Sequence, residues 1–98
     1  MPAAAGVLYP ADPFELNLIV AELLAKAARP RDDEPRPKAL IVPHGGLRHS
    51  GALAARAFAT IRPHVTRVVI AGPAHRNVIE GIAVPDATVF VTPLGTVA

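Results

Sequence analysis

The sequence predicts an α/β fold: a partial open sheet built on a parallel strand–helix–strand unit, with flanking helices. Three observations predict it. Two β-prone runs, Ala39-Leu40-Ile41-Val42 and Arg67-Val68-Val69-Ile70-Ala71, stop at Pro43 and at Gly72-Pro73, the pattern of strands covered on both faces. A helical stripe lies between them. The chain is 51% hydrophobic, with four aromatic residues and no Trp, which suits helices laid on a sheet and excludes a disordered chain.

The first helix opens at Asp12-Pro13-Phe14-Glu15. Asp12 can accept from the free N–H groups of the first turn, Pro13 suits the first helical position, and Glu15 completes a capping box. Leu16, Ile19, Val20, Leu23, Leu24 and Ala27 then recur at the spacing of one buried face, which predicts a helix ending near Ala28. Residues 29–37, "RPRDDEPRP", hold three prolines and six charges and form a solvated connector. After the first strand, Ser50 is the expected cap of a second helix with a stripe of Leu53, Ala54, Ala57, Phe58 and Ile61, closed by Pro63. The second strand follows, and a right-handed crossover sets the two strands parallel. Ile82-Ala83-Val84 and Thr88-Val89-Phe90-Val91, the latter before Thr92-Pro93-Leu94-Gly95, read as outer strands or a hairpin. The expectation is one domain over residues 1–98, incomplete by itself, with 29–37 a connector inside it.

Ten basic and eight acidic side chains give a formal net charge of +2, spread without a basic block, so no nucleic-acid partner is expected. There is no cysteine, which leaves any metal to His, carboxylates or water. Charges interrupt every apolar stretch well before about 18 residues, and no basic region precedes an apolar run, so the expectation is a cytoplasmic chain with no membrane partner.

Both predicted strands end in a loop with a histidine: "VPHGG" at His44 and "AGPAHRN" at His75. Ligands of open parallel sheets bind beyond the carboxyl ends of the strands, and neighbouring strands run about 4.8 Å apart, so the two imidazoles can reach one point. A histidine after a strand is more often a polar loop residue than a ligand; two at matching strand ends make the ligand reading as strong as the other. Gly45 and Gly46 let the backbone turn sharply and approach a ligand, while Arg48, His49 and Arg76 are pocket candidates for an anionic substrate or peptide. His64, between Pro63 and Val65, is expected in solvent. Asp12, Glu15 and Asp86 are better explained as cap and turn residues, and Glu80 has no assigned part.

Four stretches in order, "AGVLYPADPFEL", "ALIVPHGGLRHSG", "RVVIAGPAHRNVIEGIAVP" and "FVTPLGTV", resemble the MEMO family, whose bacterial and archaeal members are labelled AmmeMemoRadiSam system protein B. The resemblance covers nearly the whole chain. It implies an α/β fold similar to the class III extradiol ring-cleaving dioxygenases, which use a non-haem iron at the strand ends, and it places metal-site histidines at His44 and His75. The eukaryotic member has been described both as a phosphotyrosine-peptide-binding effector of cell motility and as a copper-binding redox protein. Where the family commonly reads Pro-His-Ala-Gly-Tyr, this chain has Gly45 for the Ala and Leu47 for the aromatic; His49 stands where an aromatic is common, and Arg76 where the eukaryotic form has a second His.

Family members continue past "TPLGTV", and their later segment carries a remaining metal ligand. The resemblance therefore implies the N-terminal part of a MEMO-like protein, contributing His44 and His75 to a divalent metal site, with iron or copper ahead of zinc. A complete protein would be dioxygenase- or oxidase-like, and this chain alone inactive. The alternatives are a non-catalytic module binding a peptide, anion or small molecule, or an inactive fragment needing a partner. Unfinished sheet edges point to self-association or to a missing C-terminal segment as partner.

Overall fold

The computed structural model describes residues 2–98. Helices α1 (Pro13–Lys26) and α2 (Leu47–Phe58) are followed by strands β1 (Phe90–Thr92) and β2 (Gly95–Val97). The strands pair antiparallel, with Phe90 opposite Val97 and Thr92 opposite Gly95. No helix among the described residues is long and apolar enough to cross a membrane.

Helix α1 forms as its sequence directs. An Asp12 carboxylate oxygen accepts the Glu15 backbone N–H at 2.8 Å, Pro13 takes the first position, and Lys26 places its charge in the last turn, where the helix dipole is negative. Leu16 is buried, and Ile19, Val20, Leu23, Leu24 and Ala27 are half-buried on the same face. The helix ends at Lys26, two residues before the predicted end near Ala28, within the usual uncertainty of a helix terminus.

Helix α2 starts earlier than predicted, and Ser50 is not its cap. Gly46 occupies that position without a side-chain cap, and the first helical N–H, on Leu47, donates to the Leu8 carbonyl at 2.7 Å. A Cβ on Gly46 would stand 3.5 Å from that same carbonyl oxygen, an ordinary contact, so the loop and the helix start touch without requiring glycine. Ser50, inside the helix, turns its hydroxyl back to the Gly46 carbonyl at 3.2 Å. The buried face differs too: Gly51 and Ala55 are buried, whereas Leu53 is 61% exposed and Phe58 and Ile61 are also exposed. Small residues win the inner face because α1 lies so close. A Cβ on Gly51 would meet the Leu23 side chain at 2.8 Å.

The parallel strand–helix–strand unit does not form among the described residues. Residues 39–42 and 67–71 join no ladder, and neither stretch makes a backbone–backbone hydrogen bond. The physical reason is cover. A parallel strand holds its place when both faces and both edges are occupied, and here Val69 and Ile70 stay 96% and 89% exposed. Ile82-Ala83-Val84 is likewise without a ladder. The hairpin survives because its partner is local: the Thr92 hydroxyl accepts the Leu94 N–H at 3.1 Å and donates to the Gly95 carbonyl at 3.0 Å.

Residues 29–37 form neither helix nor strand and are held by surface ion pairs, Arg31 with Asp33 at 3.2 Å and with Glu34 at 3.6 Å, and Arg36 with Asp32 at 3.8 Å. The two Arg31 pairs, exposed on both sides, contribute about 0–1 kcal/mol each, whereas the Arg36 side chain is half-buried. The apolar core is small. Leu16 and Ala55, each 6% exposed, are its buried apolar side chains among the described residues.

Candidate functional site

Pro43 and Pro73 stop the two extended segments, and His44 and His75 follow within two residues of them. Although the segments carry no ladder, they bring the imidazoles together: the two Nε2 atoms lie 3.0 Å apart, with ring centroids 5.0 Å apart and planes inclined by 32°. One Nε2–H donates and the other Nε2 accepts. Both rings are exposed, so a ligand can reach them from solvent.

The pair fits a shared metal. An imidazole binds zinc at about 2.0–2.1 Å, so one such ion touches both nitrogens only if they stand within about 4.2 Å. The observed separation meets that limit. Among the described residues, however, no group of three or more His, Asp or Glu side chains could hold an ion, so the pair has no third ligand there.

His44 also borders a cavity of about 420 Å³. Leu16 and Val20 of α1 face Gly51 and Ala54 of α2 across it, Leu8 and Tyr9 close one side, and Thr92 and Leu94 of the hairpin close another. The lining is almost wholly apolar. Of the residues singled out in the sequence, Gly45 lines this cavity and Gly46 caps α2. Arg48 and His49 are exposed in the first turn of α2, Arg76 is exposed just after His75, and none of the three lines the cavity. His64 is exposed, as expected. Tyr9, Thr92 and Leu94 were not singled out as site residues. The available signal was their place in short proline-containing turns flanking the apolar runs, "LYP" and "TPLG".

A family model described as Memo-like protein matches residues 1–98, the full length of the chain. The chain belongs to the Memo-like family. It is 37% identical over 97 residues to a MEMO1 family protein of Aquifex aeolicus, covering 98% of this chain and 34% of that protein. A MEMO1 family protein of Methanocaldococcus jannaschii is 32% identical over 106 residues, covering 98% and 37% respectively. Protein MEMO1 of Danio rerio is 35% identical over 91 residues, covering 92% and 30%. This Memo-like chain thus spans about a third of the length of the curated relatives it matches. No solved structure matches it.

Proposed function

We propose that His44 and His75 contribute two imidazole ligands to a divalent metal centre, iron or copper ahead of zinc, whose remaining ligands come from polypeptide outside these 98 residues. The observation that carries this reading is the 3.0 Å separation of two Nε2 atoms belonging to residues 31 positions apart. Two supports stand beside it. The residues present fit an ion shared between the rings, and the relatives are about three times as long as this chain, which leaves ample polypeptide for further ligands. When bound, the ion would supply a Lewis-acid or redox centre of the kind that dioxygenases and oxidases use.

The chain's own residues act by positioning. Pro43 and Pro73 end the extended segments at the level of the rings, and the Leu47-to-Leu8 hydrogen bond anchors the end of the His44 loop to the N-terminal loop. The apolar cavity beside His44 offers a water-poor wall to a small organic molecule.

Calorimetric titration with Fe(II), Cu(II) and Zn(II) tests the reading. His44→Ala and His75→Ala should each weaken binding by at least about tenfold, since even residues that only orient a ligand change affinity by about 10–100-fold. Both rings are exposed, so the circular dichroism of each variant should match the parent. Unchanged affinity for all three metals in both variants would sink the proposal.

A further inference from the structure

No Lys, Arg, Asp or Glu lines the cavity of about 420 Å³ beside His44. Its polar lining side chains are Tyr9, His44, Ser50 and Thr92, and two of these are already spent. Ser50 donates its hydroxyl to the Gly46 carbonyl at 3.2 Å, and the Thr92 hydroxyl both accepts from Leu94 and donates to Gly95. The Tyr9 hydroxyl makes no hydrogen bond among the described residues, and His44 engages only Nε2, with His75. Two open polar groups therefore remain in an uncharged, apolar cavity. A charged ligand would lose its hydration there without meeting a counter-charge, and Arg48 and Arg76 lie outside the lining.

The cavity belongs to the packed part of the chain. The Leu8 N–H donates to the Ala4 carbonyl at 2.9 Å, the Leu8 carbonyl accepts from Leu47 at 2.7 Å, and the Tyr9 carbonyl accepts from Gly6 at 2.7 Å. The walls from α1 and α2 carry their own helical hydrogen bonds. These walls offer side-chain surface and no open strand edge, so they fit a small molecule better than an extended polypeptide. The volume lies within the roughly 300–1,000 Å³ of small-molecule pockets.

We propose that this cavity binds a small uncharged molecule, apolar over most of its surface, whose single hydroxyl or carbonyl oxygen meets the Tyr9 hydroxyl. As a substrate pocket it rests on the metal reading above. As a binding site it stands without a metal.

The test uses the full chain with a chelator present, so that its failure is separate from a failure of the metal titration. Tyr9 is the single tyrosine and there is no Trp, so tyrosine fluorescence reports on the cavity wall. Cyclohexanol should change it saturably, and cyclohexanecarboxylate, the same ring with a charge, should bind at least about tenfold more weakly. Tyr9→Phe removes the hydroxyl together with the fluorophore, so its binding is followed by the methyl chemical shifts of Leu16, Val20 and Leu94. Its affinity for cyclohexanol should fall about two- to tenfold, the loss of one hydrogen bond. Ala54→Phe, which fills the cavity from α2, should abolish the shifts. The part of the Aquifex aeolicus relative that this chain does not match, added as a separate polypeptide, should leave cyclohexanol affinity within about twofold. The proposal is overturned if cyclohexanol changes neither signal, if the carboxylate binds as well, or if Tyr9→Phe or a folded Ala54→Phe binds as tightly as the parent. It is overturned equally if the added polypeptide displaces cyclohexanol, because polypeptide then fills the cavity.

Discussion

His44 and His75 meet without any ladder between the segments that carry them, so the contact rests on the two proline-stopped turns and on one imidazole hydrogen bond. That bond is exposed, and a typical hydrogen bond contributes about 0.5–1.5 kcal/mol net. The contact is therefore weak by itself. The pair was legible in the sequence because each histidine follows a strand-like run within two residues of a proline. Asp12 tests how far such local reading extends. Asp12→Ala removes the acceptor of the Glu15 N–H and should lower stability by about 1 kcal/mol, read as a fall in the thermal midpoint of the helical circular dichroism signal. Asp12→Asn, which keeps an oxygen acceptor, should restore most of it.

At the scale of elements, α1 and the hairpin turn were legible and the start of α2 was not. The difference is locality. Asp12, Pro13 and Glu15 act within one turn, and so do Thr92 and Leu94, whereas the first N–H of α2 is satisfied by Leu8, far back in the chain. No local pattern around Ser50 reveals that. The inner face of α2 escaped for a related reason: apolar size suggested Leu53 and Phe58, but the buried positions are Gly51 and Ala55, and Leu23 comes too close to Gly51 for a larger side chain. Gly51→Val should therefore destabilise the helix pair by about 1–3 kcal/mol through overpacking, measured by thermal or urea unfolding. Gly51→Ala is a milder case. Its helix-propensity gain of about 1 kcal/mol offsets the displacement of a leucine methyl, so its stability should stay within about 1 kcal/mol of the parent.

For the whole molecule, the radius of gyration is 14.9 Å, against about 12–13 Å for a compact domain of this length. The expansion has a definite location. Residues 66–89 are exposed throughout and free of backbone–backbone hydrogen bonds, while α1 and α2 hold the small core. The runs at 39–42 and 67–71 were readable as strands because composition reports what a segment prefers. Whether it pairs depends on cover that no stretch of sequence carries within itself. Amide hydrogen exchange separates the two regimes. Amides of 39–42 and 67–71 should exchange almost as fast as in an unfolded chain when the protein is dilute, and those in the middle of α1 and α2 should be protected. Equal protection in both places would contradict the structure.

The cavity beside His44 is closed on one side by Thr92 and Leu94. The histidine is therefore translated long before its wall. At about 5–20 residues per second, the roughly 50 residues between them take about 2.5–10 s to make. The trough beside His44 therefore stays without that wall until the hairpin turn has been made and has folded back toward α1 and α2.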